Sequence, residues 1–343
     1  MSVFTPPSQV LQRHESLFLG KYVLVAGDLH DDYVLKLNTA DTKVHCNQFH
    51  VYSHLQSRSK KSHIEFGLLP TKVCYENCNT LIYYWPKNKL EAQFQLAYLL
   101  NNLTKGCDIF IIGENTTGVR SAEKLLSEFG SIQKIDTARR CSLYHFNADS
   151  RLAFELDEWW HQYNLQLDDM ALTISTLPGV FSHKTLDAGS DLLLNSLAQQ
   201  SDLIKGRVLD VGCGCGVLSL FAAKINPAID LNSTDVSASA LASTEKNLKD
   251  NSISGNVVAS DVFSNVEGRF DLIISNPPFH DGKETNYDAA EALIKESKNH
   301  LKVNGKLCIV ANSFLPYSRL LAEQFRRVEV IAQTTKFKVY LAS

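Results

Sequence analysis

The sequence predicts an α/β protein made of two tandem, mostly parallel, doubly wound sheets, the first a degenerate copy of the second. Three observations predict it. Strand patterns alternate with helix patterns through residues 173–343, the first 150 residues repeat that plan, and a glycine-rich turn follows the first strand of the second half.

In the second half, Val208–Val211 is a short apolar run that stops at glycines, and Leu218–Ile225 then has helical spacing. Ile229–Thr234 is a second strand ending at Asp235, followed by a polar helix over Ser239–Asp250. Val257–Ala259 and Phe270–Ile274 are the third and fourth strands. Ala289–Leu301 is expected as a helix stopped by Asn304 and Gly305, before a fifth strand at Leu307–Ala311. A helix over Ser318–Phe325 precedes two strand-like runs, Val328–Ala332 and Phe337–Leu341, expected as an antiparallel hairpin at the sheet edge.

The first half carries matching runs in the same order. Tyr22–Gly27 resembles Arg207–Gly212, Leu81–Pro86 resembles Leu272–Pro277, and Gly106–Ile112 resembles Gly305–Ala311. Where the second half has Asp210, Gly214 and Asn276, this alignment gives the first half Val25, Leu29 and Trp85. A copy without the glycine turn and the amide is expected to bind no nucleotide cofactor. The expected division is a first domain over residues 1–150, a linker over 151–172 and a catalytic domain over 173–343. Trp159 and Trp160, in an amphipathic stretch of that linker, are expected to anchor the domains.

Composition bounds the function. The chain has 343 residues, 44% hydrophobic and 21% charged, enough for two packed cores without disulfides. A net charge of −3 excludes a non-specific nucleic-acid coat but leaves room for a structured RNA held by a local basic patch. The eight cysteines include no CxxC motif, which fits a reducing compartment, and no metal is expected. No signal peptide or membrane-length apolar run is seen, so the expected location is the cytoplasm, with no membrane partner.

Four motifs carry the chemistry. The first is Asp210-Val-Gly212-Cys-Gly214-Cys-Gly216, where glycines let the backbone turn sharply and approach a ligand. Its spacing is GxGxG rather than the GxGxxG of dinucleotide enzymes. The second is Asp235 with Val236; a carboxylate there can accept both hydroxyls of a ribose, or serve the helix that starts at Ser237. The third is Asp261 with Val262, placed to bond an adenine edge or to be an ordinary polar strand end. The fourth is Asn276-Pro277-Pro278-Phe279, directly after the fourth strand. The prolines fix the backbone. The Asn276 side-chain carbonyl and the Pro277 carbonyl can then accept both hydrogens of one NH2 group, and Phe279 offers a stacking face.

These residues resemble the Rossmann-like class I S-adenosylmethionine-dependent methyltransferases that methylate exocyclic amines. Over nearly its whole length the chain resembles one bacterial family, the ribosomal RNA small subunit methyltransferase C enzymes. The supporting segments include Thr80–Lys89, Gly118–Glu123, Thr176–Ser182, Leu186–Ser190 and Ile274–Gly282. The resemblance implies tandem domains with a degenerate first copy, S-adenosylmethionine as cofactor, and the N2 amine of guanine 1207 in 16S rRNA of the small ribosomal subunit as target. It implies cofactor contacts at Asp210, Gly212, Gly214, Gly216, Asp235, Val236, Asp261 and Val262, and guanine contacts at Asn276, Pro277, Pro278 and Phe279. Phe181 and Ser182, with Asp187 and Gly189, either close over the cofactor or begin a helix packed on the sheet. Cys215 departs from the Ala more usual there.

For RNA contact the chosen residues are Lys87, Lys89, Arg139 and Arg140, ahead of Arg58 with Lys60 and Lys61, and of Arg326 with Arg327. A monomer is expected. Competing readings are an Asn-Pro-Pro enzyme acting on adenine N6 or a protein glutamine, a non-catalytic RNA-binding scaffold, and a nicotinamide dehydrogenase, which the proline motif does not explain.

Overall fold

Thr80–Tyr84 is buried at all five positions. A strand apolar on both sides belongs in the middle of a parallel sheet covered by helices on both faces, and both halves of the chain are built on such strands. The computed structural model describes residues 4–59, 62–149, 151–167, 170–277 and 284–343. Contacts divide the chain into two units, 1–159 and 160–343.

The first unit contains β1 (Tyr22–Gly27), β2 (Asp41–Cys46), β3 (His63–Phe66), β4 (Thr80–Tyr84), β5 (Asp108–Glu114), β6 (Gly130–Ala138) and β7 (Cys141–Ala148). Its helices are α1 (Pro6–Arg13), α2 (Phe49–Arg58), α3 (Lys72–Tyr75), α4 (Lys89–Asn102) and α5 (Ser121–Leu126). The strand order is β3-β2-β1-β4-β5-β7-β6, with β7 antiparallel to both neighbours. One face packs Leu24, Leu81 and Ile109 against α4 and α5; the other packs Val23, Val25 and Ile82 with Leu11 and Leu55 of α1 and α2. Burying each such aliphatic side chain is worth about 1.5–3 kcal/mol.

The second unit opens with a hairpin, β8 (His161–Leu167) and β9 (Met170–Thr176), and then repeats the plan. Its sheet is β10 (Arg207–Val211), β11 (Asp230–Asp235), β12 (Asn256–Ala259), β13 (Phe270–Ser275), β14 (Leu301–Asn312), β15 (Val328–Gln333) and β16 (Phe337–Ala342). Its helices are α6 (Ala188–Ala198), α7 (Val217–Ile225), α8 (Ala238–Asp250), α9 (Glu284–Ser297) and α10 (Tyr317–Gln324). The order, β12-β11-β10-β13-β14-β16-β15, is that of the first sheet strand for strand, and β16 is again the antiparallel member. No helix among the described residues is long and apolar enough to cross a membrane.

Three expectations change in detail. The stretch 151–172 is divided between the units: Leu156–Trp159 forms a short 3-10 turn, with Trp159 against Phe94, while His161 onward enters β8. Asn304 and Gly305 do not stop a helix; α9 ends at Ser297 and both residues lie inside β14. Asn304 has φ 65°, and a Cβ on Gly305 would meet the Phe270 carbonyl at 2.7 Å, so the pair makes an irregularity in the β13–β14 register. The third change concerns the duplication. Val23 lies opposite Thr80, and its counterpart Val208 lies opposite Leu272. The sequence match of Leu81 with Leu272 is therefore one residue out of step, and one residue exchanges the two faces of a strand. In register, the counterpart of Asn276 is Tyr84 rather than Trp85.

Candidate active site

Because β12, β11, β10 and β13 are adjacent and parallel, their carboxyl ends line one edge of the second sheet. Ligands of open α/β sheets bind at that edge, where the strand order reverses. The described residues of the four motifs read from the sequence all sit there.

The glycine turn begins as β10 ends. Gly212 and Gly214 have φ 71° and 57°, and a Cβ on either would meet nothing within 4 Å. They combine a left-handed backbone with open space, as a loop built to receive a ligand must. Gly216 is different. It caps α7 at φ 78°, and a Cβ there would press on Thr244 at 2.9 Å, so it is glycine for packing against α8. The turn is held from behind by residues that the sequence reading missed. Thr244 Oγ1 donates to the Gly214 carbonyl at 3.0 Å, and Asn247 Nδ2 donates to the carbonyls of Cys215 and Ser175, each at 2.8 Å. Asn247 thereby ties the β8–β9 hairpin to the turn.

Asp210 is completely buried at the end of β10. Its Oδ2 accepts from Ser219 Oγ at 2.6 Å, while Oδ1 is buried without a partner among the described residues. Loss of hydration raises its pKa to about 7; the Ser219 hydroxyl opposes that rise and the Asp235 carboxylate adds to it. Asp235 Oδ2 accepts from the Gly214 N–H and Oδ1 from the Ser237 N–H, both at 2.9 Å, so one carboxylate locks the turn to the start of α8. The helix cap proper is Ser237. Val236 is partly buried beside it.

After β12, Asp261 is exposed and Val262 has φ 49°. A β-branched residue in that region is strained by about 1–3 kcal/mol and persists only when its surroundings enforce it. Here Ser260 Oγ donates to the Val262 carbonyl and accepts from the Asn265 N–H, each at 3.0 Å.

After β13, Asn276 Nδ2 donates to Asp187 Oδ2 at 3.1 Å and to Ser190 Oγ at 2.8 Å. Asp187 is the N-cap of α6, taking the N–H groups of Gly189 and Ser190. Asp187 and Gly189 thus do begin a helix, and that helix start touches the strand end bearing Asn276. Pro277 is buried beside it; Pro278 and Phe279 lie outside the described residues. Phe181 is 52% exposed, next to Ser182 at φ 59°, and no described contact joins it to the motifs.

The basic residues group elsewhere. Lys87 and Lys89 flank Asn88, the N-cap of α4, at the carboxyl end of β4, and both are exposed. Arg139 and Arg140, φ 51° and 60°, are the exposed tip of the β6–β7 hairpin. Two successive positive φ values suit the right-handed strand twist but ordinarily call for Asn-Gly. Because Cys141 lies opposite Glu114, that tip sits at the carboxyl end of β5, on the same sheet edge as the lysines. Of the other candidates, Arg58 is held by Asp32 at 2.7 Å and Arg327 by Glu329, while Lys60 and Lys61 lie outside the described residues. All eight cysteines are buried thiols. Potential metal ligands converge at one described place, His63, Glu65 and Cys74, where both Glu65 oxygens are already occupied by Thr71.

A doubly wound sheet with a glycine turn, strand-end carboxylates and an Asn-Pro-Pro sequence that starts at a strand end defines a class I S-adenosylmethionine-dependent methyltransferase. Residues 171–341 match the family described as Methyltransferase small domain, and residues 8–163 match its N-terminal companion. Ribosomal RNA small subunit methyltransferase C of Erwinia tasmaniensis is 50% identical over 342 residues, covering 100% of this chain and 98% of that one. The protein of the same name from Yersinia enterocolitica is 50% identical over 343 residues, covering 100% and 96%. The chain belongs to the ribosomal RNA small subunit methyltransferase C family. Among solved structures, the T. thermophilus 16S rRNA N2 G1207 methyltransferase in complex with AdoMet and guanosine superposes with a TM-score of 0.84 at 21% identity, over 99% of this chain and 92% of that one. That likeness confirms the fold across both units.

Proposed function

We propose that this chain methylates the N2 amine of guanine 1207 in 16S rRNA, acting as a monomer on the small ribosomal subunit in the cytoplasm. The observation that carries the reading is Asn276, an amide held by its nitrogen at the sheet edge that also bears the glycine turn. The family membership supports the RNA target.

The residues present fit S-adenosylmethionine. Gly212 and Gly214 leave open space beside a backbone that only glycine adopts readily, and the unpartnered Oδ1 of Asp210 is a buried acceptor awaiting a donor. Asp210, Gly212, Gly214 and Gly216 would hold one end of the cofactor, Asp235 and Val236 its ribose, and Asp261 and Val262 its adenine, with Phe181 as a cover. When bound, the cofactor supplies an electrophilic methyl on a sulfonium. The protein's own task is to present the nitrogen. Asn276 Oδ1 and the Pro277 carbonyl would accept the two amine hydrogens, which fixes the amine so that its lone pair, perpendicular to the base plane, faces the methyl; Phe279, outside the described residues, is assigned the stacking face. Neither acceptor is a base. Asn276 and Pro277 would hold the amine while the cofactor's methyl passed to its nitrogen, and the proton that nitrogen then carried would leave to solvent. Positioning supplies most of the acceleration.

The test is nucleoside mass mapping of 16S rRNA from cells with and without the gene, together with methyl transfer to undermethylated small subunits. Loss and restoration of one N2-methylguanine at position 1207 is the expected outcome; modification of adenine or of a protein glutamine instead overturns the reading.

The edge bearing Lys87, Lys89, Arg139 and Arg140 is proposed as an RNA-backbone contact of the first unit. Reversing all four charges to Glu is expected to raise the KM for small subunits by about tenfold or more and to flatten its salt dependence, with cofactor binding unchanged. An unchanged salt slope would remove these residues from the RNA surface.

A further inference from the structure

We infer that Asp187 and Ser190 are positioning residues that decide which end of the Asn276 amide faces the substrate. The inference rests on the reading of Asn276 Oδ1 as an acceptor for the target amine. The two ends of a primary amide are nearly equal in shape and opposite in hydrogen-bonding sense, and rotating the group exchanges them. An Asn left to itself at the strand end would present NH2 to an incoming amine part of the time, donor against donor.

The start of α6 removes that freedom. A carboxylate accepts hydrogen bonds and donates none. Asp187 Oδ2 already takes the N–H groups of Gly189 and Ser190, at 2.8 and 3.1 Å, so the cap fixes where that oxygen sits. The same atom is 3.1 Å from Asn276 Nδ2. Turning the amide over would set a carbonyl oxygen against a carboxylate oxygen. Ser190 Oγ, at 2.8 Å, takes up the remaining hydrogen of the amide. With both hydrogens engaged on the α6 side, Oδ1 is the end turned away from α6.

The first unit shows which part of this is inherited and which is particular to the second. Thr5 is the N-cap of α1 and Ser8 lies three residues on, as Ser190 follows Asp187. Ser8 Oγ meets the Tyr84 hydroxyl at 2.9 Å, and Tyr84 occupies the place of Asn276. A contact between the helix start and the strand end therefore belongs to the architecture of both units. Tyr84 has a single hydroxyl that can donate or accept, so orientation carries no information there. In the second unit the partner is an amide, the cap is an acceptor-only group, and the same contact becomes a directional lock.

The experiment separates capping from orientation. Asp187→Ser caps α6 about as well as Asp but is too short to keep an oxygen beside Asn276. Asp187→Asn keeps an oxygen that can serve both the cap and Asn276. In the full-length protein, Asp187→Ser and Ser190→Ala are expected to lower kcat about 10- to 100-fold, with cofactor Kd by calorimetry and melting temperature unchanged. Asp187→Asn, the conservative variant, is expected to recover most of the turnover lost in Asp187→Ser. In an Asn276→Ala background, Asp187→Ser should cost nothing further. Parental kcat in Asp187→Ser, alongside an inactive Asn276→Ala, overturns the positioning role and leaves Asn276 standing. Equal losses in Asp187→Asn and Asp187→Ser, or losses that add to that of Asn276→Ala, overturn it as well. A fully active Asn276→Ala would instead sink the reading on which it rests.

Discussion

Asn276→Ala is expected to bind S-adenosylmethionine as tightly as the parent, within about twofold, and to turn over about 10²- to 10³-fold more slowly. Asn276 is only partly buried, and the strand end beneath it is held independently by the Ser275 hydroxyl, which donates to the Val211 carbonyl at 2.6 Å, and by Ile274 lying opposite Cys308. Truncation at Cβ therefore removes an acceptor without releasing the strand end, and the proposed cofactor contacts, Phe181 apart, lie at and just beyond the ends of β10, β11 and β12. The lost interaction is made with an amine becoming cationic, so its removal is felt in the transition state more than in the ground state. Calorimetry with the cofactor and single-turnover transfer to small subunits check both halves. Full activity, or a loss confined to cofactor affinity, refutes the assigned role.

The second large effect concerns Asp210. Its pKa is raised to about 7 in the fold, from an ordinary value of 3.8. Below 3.8 both the folded and unfolded chains hold the proton. Between 3.8 and about 7 the folded chain keeps a proton that the unfolded chain has lost, so stability falls as pH rises; above 7 the penalty is constant. Asp210→Asn removes that dependence. Between pH 5 and pH 8 the stability of the variant relative to the parent should therefore shift in its favour by about 2–3 kcal/mol. Function moves the other way. The cofactor is cationic, so parental affinity should strengthen as pH passes from 6 to 8 and Asp210 ionises. The variant should bind at least about tenfold more weakly with no such pH dependence. Denaturant titrations and calorimetry at pH 5, 6, 7 and 8 measure both, and parallel pH profiles for parent and variant would show that Asp210 is not the titrating group.

The parts of this molecule legible in its sequence are those governed by local rules. The glycine turn could be read because positive φ at Gly212, Gly214 and Gly216 selects glycine, and the succession of strands and helices along the chain because apolar runs alternate with helical spacing. Two kinds of feature were not legible. Register was one: Leu81 resembles Leu272 in its neighbours, but the partner strand sets the pairing, and Thr80 is what lies opposite Val23. Long-range polar contacts were the other. Ser190 lies 86 residues from Asn276, and Asn247 lies 72 residues from Ser175. Periodicity says nothing of such pairs, since Ser and Asn on a helix face look alike whether solvated or engaged. The β8–β9 hairpin is a different case: Gln162–Leu167 alternates polar and apolar residues as a strand should, but reading the stretch before it as an amphipathic linker hides that pattern.

The first unit's lost cleft is closed by backbone as well as by side chains. Gly27, the counterpart of Gly212, lies so near the Tyr84 carbonyl that a Cβ would stand 2.0 Å from that oxygen, and the Asp28 N–H donates to the same carbonyl at 2.9 Å. Leu29 fills the place of Gly214, 3% exposed. Writing an asparagine back at position 84 would therefore revive nothing, because the main chain itself has sealed over the former opening. Opening a ligand site in the first unit would take coordinated changes at Gly27, Leu29 and Tyr84, not one substitution.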